Sequence, residues 1–341
     1  MIFSSMPMRG CGSLECRIPS ATKPAIVRSV ALSSLFNRTA GGLLAIPWLF
    51  SLTAMAQSNI AIDVTYDPNV PAAAQVAFNN VVSIYQSLFT NSITVNIHVQ
   101  FGNVGLGHSL TKRCGVSYAT WRGALDANSV AHGENTFAAE GIATLPATNP
   151  FATTLVAMRT ANARALGFSD SVCQSTPADP DSTLTFTNVP GTFEYTGIPT
   201  PGLFDFQDSA EHELNEALGI GSRLTGLANN DPVPSDFFEA EDYFRYGLGG
   251  TRLISTDPAA KVYFSFDGGQ SLFAQFNQDV NNGDRNDWIY ACLFIQDTNA
   301  CVNSMVSIGS PSEITVLQTL GYNPVPLTPA SGSLFLSFFG S

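Results

Sequence analysis

The chain has 341 residues, of which 45% are hydrophobic and only 12% charged, a balance that builds a sizeable core and excludes a disordered polyelectrolyte. Its net charge of −12 argues against nucleic acid and against anionic membrane surfaces as partners. The length allows one large domain or two small ones.

Residues 1–56 have the order of a secretory signal peptide. Arg9, Arg17, Lys23, Arg28 and Arg38 stand against a single acid, Glu15, and an apolar run from Leu43 to Leu52 follows. That run is too short for a stable transmembrane helix. "Ala54-Met55-Ala56" before Gln57 is a small-x-small cleavage site. Cleavage near Ala56 removes five basic residues and one acid, which takes the net charge from −12 to about −16. The expectation is an exported protein, extracellular or periplasmic, without a transmembrane anchor and monomeric. Cys114, Cys173, Cys292 and Cys301 remain after cleavage, an even number that suits two disulfides. Three pairings are open; the short loop favours 292–301, which leaves 114–173.

The mature chain opens on "NIAIDVTYD", where Ile60, Ile62 and Val64 alternate as in a half-buried strand. Pro71 starts a helical stretch, "PAAAQVAFNNVVSIYQSLF". "SITVNIHV" then alternates again. Strand, helix, strand implies a mixed sheet with a crossover helix. "FGNVGLGHSL" is a glycine-rich loop or edge and lacks the phosphate-loop pattern. "SYATWRGALDA" and "TANARALG" read as short helices, "STLTFT" and "GTFEYTG" as short strands. A helix spans about 205–219. Loops and short strands fill 223–309, including "KVYFSFDGG" and "NQDVNNGDRND". "SPSEITVLQTLGYN" is the last helix, with Ser310 and Glu313 as a capping box, Pro311 in the first turn, Ile314, Leu317 and Leu320 as its buried stripe, and Gly321 at its end. Residues 325–341 are a tail, leaving one domain over 57–324.

The helix at 205–219 carries "HELNEALG". His212 and Glu216 lie one turn apart on one face, and Ala210, Leu214, Ala217 and Leu218 form the opposite, apolar face. This predicts a helix that packs its stripe inward and presents His212 and Glu216 toward a groove or solvent, with Glu213 on the flank. Two ligands one turn apart and a neighbouring carboxylate are what a zinc-hydrolase helix needs: the ion acidifies water, and Glu213 takes the proton. The bland alternative is an ordinary polar helix face. "DVNNGDRND" offers oxygen ligands for calcium, or is a polar turn.

Gly219 extends the motif. His212, Glu213, Glu216, Gly219 and Ser222 stand where metzincin metalloproteases carry H-E-x-x-H-x-x-G-x-x-H, with glutamate for the second histidine and serine for the third. No histidine follows His212. Further blocks, "DYFRYG", "YFSFDGG", "GDRNDW" and "LGYN", follow in that order. Together they resemble a family of secreted bacterial metalloproteases, often found with PEP-CTERM-type sorting signals, over most of 90–324. That family carries an H-E-[IL]-x-E-x-[LM]-G helix, so Glu216 matches its own pattern. The chain departs from it at Gly247, where serine is usual, and at Arg285, which replaces a tyrosine. The resemblance implies an α+β, metzincin-like zincin domain and a zinc endopeptidase acting on protein or peptide substrates. It implies His212 and Glu216 as ligands and Glu213 as base. Asp242 is preferred as third ligand over Asp236, Glu239, Glu241 and Tyr246, because it heads the "DYFRY" block. Tyr246 is the candidate substrate-binding residue, and Met305 the candidate floor of the zinc site. His98 reads as structural, whereas His108 and His132 are each able to complete a metal site. The competing expectation is a non-catalytic exported protein that keeps the zincin scaffold for binding.

Overall fold

A computed structural model describes residues 59–173, 179–306 and 309–326; the expected signal peptide and most of the expected tail lie outside them. The elements run β1 (Ala61–Tyr66), α1 (Ala72–Leu88), β2 (Thr94–Gly102), β3 (Gly107–Thr111), β4 (Arg113–Val116), α2 (Tyr118–Ala131) and α3 (Thr136–Thr144). Next come β5 (Leu155–Arg159), α4 (Thr160–Ala165), α5 (Asp170–Cys173), β6 (Ser182–Thr187), β7 (Phe193–Glu194), β8 (Phe204–Asp205) and α6 (Phe206–Leu218). The remainder is β9 (Phe237–Glu239), a 3-10 turn (Ala240–Phe244), β10 (Arg245–Gly247), β11 (Val262–Phe264), β12 (Trp288–Ala291), β13 (Asp297–Asn299) and α7 (Pro311–Thr319).

The strand–helix–strand opening forms the main sheet. β1 and β2 pair in parallel through the α1 crossover, and β6 adds in parallel beside β2. β3 closes the order β1-β2-β6-β3 as an antiparallel edge, so the glycine-rich segment is both loop and edge strand. Val95, Ile97, Val99, Leu184 and Phe186 are buried on one face. Asp63, Thr65 and His98 leave the other face partly open. α1 packs on α6, and α6 lies against β3 and β6. Helices gathered on one face of a mixed sheet make an α+β arrangement. Small sheets β4-β5-β9, β10-β11, β12-β13 and β7-β8 surround it.

α3, β4 and β5 are additions to the sequence expectation. α3 begins where Asn135 accepts a hydrogen bond from the Ala138 N–H, an ordinary N-cap. The capping box expected on α7 is absent. The Glu313 carboxylate instead accepts from Trp288 Nε1 and from the Gln296 N–H, each at 3.0 Å, and Ser310 makes no cap bond. Of the expected stripe, Leu317 and Leu320 are buried, joined by Val316, while Ile314 is only partly so. Disulfides Cys114–Cys173 and Cys292–Cys301 join residues with Cα atoms 4.4 and 5.6 Å apart. Among the described residues no helix is long and apolar enough to cross a membrane.

Candidate metal centre

α6 starts where Asp205 Oδ1 accepts from the Gln207 N–H at 2.8 Å. The helix does not present a polar face to solvent. Its apolar residues Ala210, Leu214, Ala217 and Leu218 are fully buried, each leucine worth about 1.5–3 kcal/mol of hydrophobic stabilisation. Glu211, Glu213, Asn215 and Glu216 are also buried, which rules out an ordinary exposed acidic helix. β3 covers one flank so closely that a Cβ at Gly107 would overlap the Glu213 carboxylate and require that side chain to shift. The segment bridged by Cys292 and Cys301 covers the other.

Three side chains converge between these walls. One ligand atom each from His212, Glu216 and Asp287 lies within 4.8 Å of the other two. His212 Nδ1–H donates to the Ile295 carbonyl at 3.0 Å, which in the neutral ring leaves Nε2 as the acceptor facing the cluster. Nε2 is 3.6 Å from Asp287 Oδ1. Glu216 is held at both oxygens: Ser109 Oγ of β3 donates to Oε2, and Asn286 Nδ2 donates to Oε1 at 2.9 Å. Asp287 Oδ2 accepts the Asp284 N–H at 2.8 Å, which aims Oδ1 at His212. Gln296 Nε2 sits 3.0 Å from His212 Nε2 and 3.2 Å from Asp287 Oδ1.

The electrostatics reflect crowded acids. Burial works against charge on His212, but Asp287, Glu213 and Glu216 outweigh it and push its pKa up to about 9. Burial first, then the Glu216 and Asp284 charges, raise Asp287 to about 7, although His212 opposes them. Glu213 is driven well above the carboxylate range by burial and then by Glu216. Asp284 is also raised, by burial and then Glu216, with His212 and His108 acting against them. His108, Ser109, His212, Glu213, Asp284 and Asp287 line one cleft of about 380 Å³. One imidazole nitrogen and two carboxylates form a donor set that could hold a metal ion.

The sequence residues divide around this centre. His212, Glu213 and Glu216 meet there; Asp287, from "GDRNDW", joins them, and Asp242 does not. Asp242 accepts from Ser222 Oγ at 2.6 Å and from the Arg223 and Glu239 N–H groups, and it lies 3.8 Å from buried Arg245. It therefore caps the 3-10 turn and fixes the chain leaving α6. Glu239 pairs with Arg113 and Arg159, Glu241 accepts the Gly221 N–H, and Asp236 lies 3.8 Å from Arg223. Tyr246 is buried on β10 with Arg252 over its ring and is not among the cleft residues. Met305 is half exposed and flanks Gly197, so it does not floor the centre. "DVNNGDRND" folds on itself, with Asn277 Nδ2 donating to the carbonyls of Asp279, Asn282 and Asp284, and its last acid belongs to the cluster. His98 pairs with Asp67 and His132 with Glu134, while His108 stands at the cleft. Sequence reasoning missed Asp287 because it stands in an Asn/Asp/Gly-rich run; the contacts that fix it, such as the Trp288 indole on Glu313, are tertiary. Compared with known proteins, the chain matches no family model, no curated protein and no solved structure.

Proposed function

We propose that this protein is an exported zinc-dependent endopeptidase. The observation that carries the reading is the convergence of His212, Glu216 and Asp287 beside Glu213 at the wall of one cleft. When bound, the ion supplies Lewis acidity to a water or carbonyl oxygen in the cleft. Two carboxylate ligands weaken that acidity. Ser109 and Asn286 counter this by drawing charge from Glu216, as the Asp284 N–H does from Asp287.

Glu213 is the proton carrier. Burial and then the Glu216 charge raise its pKa, while His212 acts against them. A divalent cation among its neighbours favours the carboxylate form and brings the group toward the range of a general base near neutral pH. β3 supports an extended substrate. In its ladder Thr187 N–H bonds Leu106 C=O and Lys112 N–H bonds Asp181 C=O, so the alternate residues Gly107 and Ser109 turn their backbone groups to the open edge. Those groups suit pairing with an added polypeptide strand.

The test is stoichiometric zinc measured on purified wild type, His212→Ala and Glu213→Gln, alongside cleavage of an unfolded polypeptide. Zinc in wild type and Glu213→Gln but not in His212→Ala, with cleavage in wild type alone, is the expected pattern. Zinc without cleavage in wild type would leave a non-catalytic metal-binding scaffold instead.

A further inference from the structure

Among the described residues Asn286 and Gln296 each contact two of the three converging ligands; Asn286 is also held by Thr225, whereas the Gln296 amide oxygen has no partner. Gln296 is fully buried, and its amide nitrogen lies 3.0 Å from His212 Nε2 and 3.2 Å from Asp287 Oδ1. Its other amide atom, Oε1, is buried with no hydrogen-bond partner among the described residues. An orphan amide oxygen costs about 1–3 kcal/mol, so its position calls for an explanation.

The contacts of the nitrogen supply one. That nitrogen lies within hydrogen-bond distance of both the His212 ring nitrogen and the Asp287 oxygen, the two atoms that would face a shared cation. Ligands bound to one ion at about 2.0–2.2 Å stand roughly 3.0–3.5 Å apart. The amide is thus already at ligand spacing from both partners, but with the wrong atom forward. An NH2 group and a cation cannot occupy the same point. A half-turn about the Cγ–Cδ bond exchanges the two amide atoms with little change of shape. It would bring the orphan Oε1 toward the ion and turn the NH2 away from it.

We infer that Gln296 is a fourth protein ligand of the His212–Glu216–Asp287 centre, bound through Oε1, and that its amide turns when the metal enters. This rests on the metal-site reading above and adds a neutral ligand from the Cys292–Cys301 loop. The loop then serves the centre twice, through the Ile295 carbonyl on His212 Nδ1 and through Gln296 itself.

The experiment is zinc affinity by competition with a chromogenic chelator on full-length wild type, Gln296→Leu and Gln296→Glu, with thermal unfolding of each in chelator as a fold check. Gln296→Leu removes the ligand atom and is expected to bind zinc at least tenfold more weakly. Gln296→Glu keeps an oxygen at the same reach, cannot donate, and is expected to bind at least as tightly as wild type even if its metal-free form is less stable. In cobalt-loaded protein the visible absorption of Gln296→Glu should stay close to wild type, while that of Gln296→Leu should change. A Leu variant that binds zinc like wild type, or a Glu variant that binds tenfold more weakly, overturns the inference and shows the amide to be an internal plug. Wild type that binds no zinc at all overturns the metal-site reading and this inference with it.

Discussion

Asp287→Asn is the sharpest perturbation of the centre. Asparagine keeps the size of the side chain and can still accept the Asp284 N–H, now made to Oδ2 at 2.8 Å. It removes the negative charge that faces His212 Nε2 at 3.6 Å. Loss of an outer-shell partner costs about 10–100-fold in metal affinity, so loss of this inner carboxylate should cost at least about 100-fold. At a zinc concentration about 100 times the wild-type Kd, binding stabilises the native state by roughly 2.7 kcal/mol. For a domain of this size that is a rise in Tm of about 5–10 °C. With Kd raised about 100-fold, the same zinc gives only about 0.4 kcal/mol, a rise of about 1 °C. Differential scanning fluorimetry against zinc reads this directly. A second, metal-free readout is the His212 titration by NMR: Asp287 is the largest influence holding that pKa up at about 9, so the variant's value should fall. An undiminished thermal shift together with an unmoved His212 pKa would falsify the placement of Asp287.

Four further outcomes follow from the same geometry. Glu213→Gln should retain zinc but lose about 10²–10⁴-fold in kcat, the range for a general base; an unchanged kcat refutes the role. Asp242→Ala should leave zinc affinity within about twofold, since it shares no ligand with the centre, yet destabilise the fold by about 3–5 kcal/mol by stripping buried Arg245 of a partner. Chemical denaturation checks the second part, and weakened zinc binding would restore Asp242 as a ligand. Gly107→Ala forces a Cβ into the Glu213 carboxylate and should lower both Tm and activity, by about 1–3 kcal/mol in stability; a neutral result means β3 lies farther from α6. For His212 and Asp287 the pH dependence has the same sign. Folded Asp287 keeps its proton up to about 7 and folded His212 up to about 9, both above their unfolded values, so the native state holds more protons than the unfolded chain. The His212 contribution is complete below about pH 6.5 and lost as pH rises through about 9, and the Asp287 contribution is lost between about 4 and 7. Metal-free protein should therefore be more stable at pH 5 than at pH 9, while zinc affinity rises between pH 7 and 9 with proton release visible by calorimetry in buffers of different ionisation enthalpy.

Local patterns were legible in the sequence wherever one element decided the matter. The alternation of Ile62 and Val64, and of Val95, Ile97 and Val99, placed β1 and β2, and proline at 71 placed the start of α1. The one-turn spacing of His212 and Glu216 placed two members of the cluster on a helix before any tertiary information. What the chain pattern could not carry was the burial of that helix. Periodicity contrasts an apolar face with a polar one, and it reads the polar face as wet. In α6 the polar face is largely buried, with His212 still 22% exposed at the cleft, because β3 and the Cys292–Cys301 loop close around it, and both are distant in sequence.

The third member of the cluster was illegible for a related reason. Asp242 was favoured because it heads a segment rich in aromatic residues, but an acid just before "YFRY" does equally well as a cap, and Ser222, Arg223 and Arg245 consume its oxygens. Asp287 sits in a run of Asn, Asp and Gly that looks like any surface turn. What singles it out is tertiary: Asn277 knots the turn, Trp288 anchors it through Glu313, and Asp284 orients the carboxylate. With His212 and Glu216 both on α6, the third member of the cluster comes from a loop, and a loop acid is held in such a position only when its neighbours fix it. The residues that do the fixing here, Trp288, Glu313 and the bridged cysteines, are therefore the ones whose pattern in a sequence would mark such a centre, more than the acids themselves.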